Sequence, residues 1–339
     1  MEATTVGIDL AKEVFWVSGA DARGKEVFSK KVRRKDLLKE LSNIGPCLIG
    51  MEACGSSHYW ARKIGELGHT VRLMPAQFVK PYVKSNKNDQ NDARAICEAV
   101  SRENMRFVLA KSQRQQDIQS AHRIRERLIC SRTALSNEIR GLLAEQGVVF
   151  GLGFKRLHEE LIRVASDEQT ELSLFFRAML GELYTELCDL ELRLEAMNRR
   201  IREIFNQEES CRRLGEIPGV GPVIATAMVA AVGNPKTFAS GRSLAAWLGV
   251  VPRQHSSGGK QTLLGISKRG DTYLRKQLIQ GARSVVLRAA SKTDPQSRWI
   301  DQKVKSRGIN RATVAVANKN ARIIWKLLVT GESYRPIAA

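Results

Sequence analysis

The chain has few aromatic residues, 6% of its 339 positions, and only five histidines (His58, His69, His122, His158 and His255), none at ligand spacing. That argues against a histidine-built metal centre. His255 reads as a loop-packing residue, and the five tryptophans, Trp247 among them, read as core or interface. The six cysteines (Cys47, Cys54, Cys97, Cys130, Cys188 and Cys211) are scattered without a CxxC. This disfavours a disulfide framework and a zinc ribbon and suits a reducing cytoplasm. No run of about 18 uncharged apolar residues occurs, so no spanning helix is expected and no membrane partner. The opening MEATTVGIDLAKEVF has no basic segment followed by an apolar one and does not read as a secretory signal. Acidic residues are scarce at one end. Residues 251–339 hold 18 Lys+Arg against 4 Asp+Glu, net +14; residues 1–150 hold 25 against 17, net +8; residues 151–250 hold 12 against 14, net −2.

What is present is a folded composition, 43% hydrophobic and 27% charged, long enough for two or three domains. Concentrated like charge repels itself and is tolerated when a polyanion neutralises it, so nucleic acid is the first partner to consider. A solubility device or a basic tail is the plainer reading. The richness of the same region in Leu, Ile, Val and Ala points instead to a folded element.

Three short β-rich runs, TTVGIDL, EVFWVSGA and KEVFSKKV, read as an antiparallel meander. RKDLLKELSN has helical spacing; CLIGMEA reads as a buried strand; SSHYWARKIGELG carries a serine start signal and a glycine stop; HTVRLM, closed by Pro75, is a further strand. The order β-β-β-α-β-α-β is that of a ribonuclease-H-like sheet. A helical pattern follows from about 89 to 147, with a long basic helix over 112–146. Over 172–205, Leu183, Leu187, Leu190, Leu194, Met197, Ile201 and Ile204 recur in steps of four and three, an a/d seam. Such a seam serves an intermolecular coiled coil or packing within one chain. GEIPGVGPVIA, with Gly219, Gly221 and Pro222, reads as a helix-hairpin-helix element able to hold a phosphate, or as a plain helix–turn–helix corner. A polar, Gly-rich, basic loop is expected over 253–262, then helices over about 271–290 and 310–329.

Four carboxylates stand out. Asp9 ends the first strand and Glu52 the fourth, while Asp89 and Asp92 sit three apart at the start of a helix, on one face. In this sheet order the first and fourth strands are neighbours, so the acids converge. Carboxylates at close range repel unless cations sit between them. Two Mg²⁺ ions held for phosphodiester cleavage need such a cluster. Taken singly, Asp89 and Asp92 also read as helix-start acids. In HSSGGK, Ser256 and Ser257 stand among Arg253, His255 and Lys260. A serine there could attack a phosphate and form a phosphoserine link, although serine beside glycine is also ordinary turn chemistry.

Read together, GIDLAKEVF, GMEACGSSHYWAR, KNDQNDARAI, IPGVGPVIA and LGVVPRQHSSGGKQTLLGISKRGDTYLRKQLIQGAR resemble the DEDD transposases of bacterial insertion sequences, closest to the insertion-sequence-110 family. The resemblance covers both ends and most of the chain, although the Glu52-to-Asp89 spacing is short for the family. It implies a RuvC-like DEDD nuclease domain over 1–110, a helical coiled-coil region for oligomerisation over 111–207, and a mainly α-helical transposase domain over 208–339. It further implies Mg²⁺ on Asp9, Glu52, Asp89 and Asp92, and a nucleophilic serine, Ser257 with Ser256 as second choice, in a composite site with the acids. Donor and target DNA, a structured non-coding guide RNA and a homo-oligomer (dimer or tetramer) are the implied partners, in a cytoplasmic, nucleoid-associated setting. Arg253, Lys260, Lys268, Arg269, Arg275, Gly219 and Gly221 are the candidate nucleic-acid contacts. A Holliday-junction-type nuclease without serine chemistry and a non-catalytic nucleic-acid scaffold are the competing readings.

Overall fold

The computed structural model of the chain describes residues 2–84, 88–166, 172–258 and 260–336. These form two compact units, Met1–Gln116 and Asp117–Ala339. No described helix is long and apolar enough to cross a membrane.

The first unit is built on β1 (Thr5–Asp9), β2 (Val14–Ala20), β3 (Glu26–Arg33), β4 (Leu48–Glu52) and β5 (Thr70–Met74), in the sheet order β3-β2-β1-β4-β5. The first three strands are antiparallel; β4 runs parallel to β1, and β5 parallel to β4. Alternation along the strands turns Val6, Ile8, Phe15, Val17, Val32, Ile49 and Met51 to one face. There they form a core with Leu37 and Leu41 of α1 (Leu37–Ser42) and Trp60 and Ile64 of α2 (Ser57–Gly65). Ser56, expected to cap α2, adopts φ 67° and makes no capping bond; Ser57 Oγ donates to the Cys54 carbonyl instead. After the short α3 (Ala76–Val79), α4 (Asp89–Val100) packs against β1, β2 and β4. The continuous helical pattern expected from 89 to 147 is interrupted after Val100, where Val108 instead bridges to Leu73 on β5.

The second unit takes in all but the first four residues of α5 (Gln113–Glu145), followed by α6 (Phe154–Ser166) and α7 (Leu174–Gln207). Leu187, Leu190 and Leu194 of the seam are buried with Leu128, Leu135 and Ile139 of α5 and Leu157 and Leu161 of α6. Of the two uses open to the seam, this part serves packing within one chain, because its own neighbouring helices bury it. A second core gathers α8 (Glu209–Gly215), α9 (Pro222–Val232), α10 (Gly241–Trp247), α11 (Thr272–Val286), α12 (Pro295–Arg307) and α13 (Ile309–Thr330). Between α10 and α11 lies a two-stranded antiparallel ribbon, β6 (Pro252–Ser257) and β7 (Lys260–Ile266).

Candidate functional site

The acids are placed by a repeated local pattern. Gly7-x-Asp9 ends β1 and Gly50-x-Glu52 ends β4, and the two strands are in register with Gly7 facing Gly50. A Cβ on Gly7 would lie 2.3 Å from the Ala93 carbonyl oxygen, and one on Gly50 2.7 Å from Val100 Cβ. The glycine pair thus forms the bed on which α4 rests. Two residues further along each strand, on the same face, come Asp9 and Glu52. The start of α4 is set by Asn88, whose Oδ1 accepts from Asn91 N at 2.7 Å, and Asp89 and Asp92 fall in its first turn.

Carboxylate oxygens of Asp9, Asp89 and Asp92 lie within 4.8 Å of one another, with Asp9 and Asp92 half-buried and Asp89 exposed. Glu52 ends the strand beside Asp9 but stands outside this trio. Its proximity shows at Cys54, whose thiol is pushed up by partial desolvation and then by the charges of Glu52 and Asp9. Three carboxylates at this range repel one another. The helix start offsets part of the repulsion. The donor set of the trio is all hard carboxylate oxygen, which fits a hard divalent cation.

The serines lie on the ribbon. The polar stretch expected to be a loop over 253–262 is instead paired strand: Gln254 faces Leu263, His255 faces Thr262, Ser256 faces Gln261, and Ser257 faces Lys260. Gly258, at φ 55°, opens the connection between the strands, where a glycine-containing turn matches strand twist. Ser256 Oγ accepts from Gln254 Nε2 at 2.8 Å, and Arg253, His255 and Ser256 are exposed. The side chains of Ser257 and Lys260 lie outside what the structure describes.

At the base of the ribbon, Ser267 N donates to the Val251 carbonyl at 2.8 Å and Lys268 N to that of Gly249 at 3.2 Å. Lys268 is left-handed at φ 54°, so the turn presenting Lys268 and Arg269 to solvent is shaped by its anchors. Arg275 was expected among the nucleic-acid contacts, and the structure corrects this. It is 8% exposed, and its guanidinium donates to the Leu248 carbonyl at 3.3 Å and the Arg269 carbonyl at 2.9 Å. Its α11 position turns it inward, where it ties the basic turn to α10. Gly219, at φ 85°, meets α11 closely, since a Cβ on Gly281 would lie 2.0 Å from the Gly219 carbonyl oxygen. Gly221 precedes Pro222 at the start of α9, and a Cβ there would meet nothing.

One polar cluster has no sequence signal, because its members are 104 and 151 positions apart. His122 on α5 is buried; its Nε2 lies 2.9 Å from Thr226 Oγ1 and its Nδ1 2.8 Å from the Tyr273 hydroxyl. Thr226 donates its proton to the Pro222 carbonyl at 2.7 Å. The imidazole therefore donates from Nε2 and accepts from Tyr273 at Nδ1, a neutral tautomer. Burial, followed by the charge of Arg125, pushes its pKa down to about 4.

Two family models match the chain. One, described as the transposase IS116/IS110/IS902 family, covers residues 211–298, and a DEDD transposase model covers residues 6–147. A probable family 20 transposase of Pseudomonas aeruginosa is 48% identical over 99% of this chain and all of its own length. The transposase for insertion sequence element IS1111A of Coxiella burnetii is 45% identical over 97% of this chain and 91% of its own. That for IS1328 of Yersinia enterocolitica is 37% identical over 97% of both. With these matches spanning the acid cluster, the ribbon and the helical core alike, the chain belongs to the IS110-type family of insertion-sequence transposases.

Proposed function

We propose that the chain cuts and rejoins DNA through a ribonuclease-H-like (RuvC-like) acid site and a nucleophilic serine. The observation that carries the reading is the meeting of Asp9, Asp89 and Asp92, from two distant segments, at the start of α4. These three, with Glu52 alongside, would hold Mg²⁺. When bound, the ion supplies charge neutralisation at the scissile phosphate. Asp9 and Asp92, half-buried, fix the site against the sheet; exposed Asp89 leaves it open to a strand. Ser257, or Ser256 as second choice, supplies the attacking oxygen. Its Oγ bonds to phosphorus as the bond from phosphorus to a deoxyribose oxygen breaks; the serine proton ends on that oxygen, which leaves as a hydroxyl, and the phosphoserine diester conserves the bond for rejoining. Arg253, Lys260, Lys268 and Arg269 serve phosphate contacts, with Gly221 at the start of α9.

The division into a nuclease domain (1–110), a helical oligomerisation region (111–207) and a transposase domain (208–339) belongs to the same proposal. So do a dimer or tetramer, a cytoplasmic setting and guidance by a structured non-coding RNA. The net +14 of residues 251–339 supports a polyanionic partner. The test is a denaturing gel for a covalent protein–DNA adduct, with and without Mg²⁺. The parent forms a Mg²⁺-dependent adduct, Ser257→Ala abolishes it while retaining DNA binding, and Asp9→Asn abolishes both adduct and nicking. Metal-dependent nicking without any adduct, in the parent and in the Ser256, Ser257 double alanine variant alike, would leave a junction nuclease. Binding without cleavage by the parent would leave a scaffold.

A further inference from the structure

Asp9 faces Trp16 across the β1–β2 ladder, and Trp16 faces Lys31 across β2–β3. Facing residues share a side of the sheet, so an acid, an indole and an ammonium form one row running out from the acid cluster to the edge strand. Strand spacing puts Trp16 and Lys31 about 5 and 10 Å from Asp9. One row back, Gly7 lies directly beneath α4. Trp16 is half-exposed although Phe15 and Val17 on either side are buried.

The indole is held in place. Its N–H donates to Ser29 Oγ at 2.7 Å, and Gln90 Nε2, between Asp89 and Asp92 in sequence, donates to the same oxygen at 3.4 Å. Lys31 Nζ stands over the ring, 5.2 Å from its centroid. Sheet packing does not require a tryptophan here, since the buried face of β2 is filled by its neighbours. A fixed, half-open π-face with a movable cation beside it matches the chemistry of a nucleotide: a base for the ring and a phosphate for the ammonium.

We infer that Trp16 and Lys31 hold the nucleotide next to the scissile phosphate. An unstacked base lies on the indole, and Lys31 swings from the ring to the flanking phosphate. This rests on the reading of the acids as the cleavage site and adds the contact that sets the strand's register there.

The test uses the full chain with Ca²⁺ in place of Mg²⁺ and three probes: oligo(dT), oligo(U) and an abasic oligodeoxynucleotide of equal length. Oligo(dT) should quench tryptophan emission, and the Trp16-dependent part should vanish in Trp16→Leu. Affinity for oligo(dT) should fall about tenfold in Trp16→Leu and recover largely in Trp16→Phe, the size of one lost base stack. The abasic probe should bind Trp16→Leu and parent equally, which a purely structural tryptophan would not produce. Lys31→Ala should lower the salt slope of binding by about one unit, and Lys31→Arg should restore it. Trp16-dependent quenching by oligo(U) as well would extend the site to RNA strands. The inference is overturned if Trp16→Leu, with an unchanged thermal midpoint, binds oligo(dT) like the parent, or if the abasic probe loses as much affinity as oligo(dT). Cleavage that survives Asp9→Asn would sink the assignment of the acids while leaving the quenching result standing.

Discussion

His122 joins three helices of the second unit through two hydrogen bonds, to Thr226 on α9 and Tyr273 on α11. Its folded pKa of about 4 lies below the usual imidazole value of 6.5, so between those pH values the unfolded chain binds a proton that the folded chain refuses. The stability this site allows is intact above about pH 6.5 and is lost as pH falls towards 4, amounting to about 3 kcal/mol in all. The thermal midpoint should drop between pH 7 and pH 5, and His122→Asn should flatten that drop while lowering the midpoint at pH 7. An equally steep acid limb in the variant would contradict this. None of this could be read from local sequence, because a lone histidine in a basic helix carries no partner information.

At the scale of elements, the acid site depends on how closely α4 approaches the sheet. Gly7→Ala inserts a methyl 2.3 Å from the Ala93 carbonyl, a contact that backbone must yield to. We expect a loss of about 2–3 kcal/mol in stability from overpacking. Divalent-ion affinity, followed by calorimetry, should fall with it as Asp89 and Asp92 move away from Asp9. A variant that binds Mg²⁺ like the parent would show that the glycine bed does not set the trio. The acids were legible in the sequence because strand ends and helix starts are local features, and Asp9, Glu52, Asp89 and Asp92 stand at such points. Which carboxylates come within 4.8 Å of one another was not, since that turns on side-chain placement across segments far apart in sequence. The serine stretch was misread for the opposite reason: Ser and Gly are common turn residues, and only cross-strand pairing with Gln261 and Lys260 makes the segment a ribbon.

For the molecule as a whole, the formal charge of +20 makes nucleic-acid binding salt-dependent. Lys268→Ala and Arg269→Ala should each reduce the slope of log K against log[salt] by about one unit, measured by fluorescence anisotropy. Arg275→Ala should leave that slope unchanged while costing about 2 kcal/mol in stability, because its buried guanidinium ties backbone carbonyls together. A slope change for Arg275→Ala equal to that of Arg269→Ala would return it to the interface.

Local pattern alone determined most of the strands and helices, the segregation of positive charge, and the acids' positions at element ends, since periodicity and capping act over a few residues. Tertiary structure decided which acids meet, which cation faces inward and which apolar seam is covered by its own chain. Those outcomes depend on packing between residues tens to hundreds of positions apart, and burial there is set by neighbours that no local window contains.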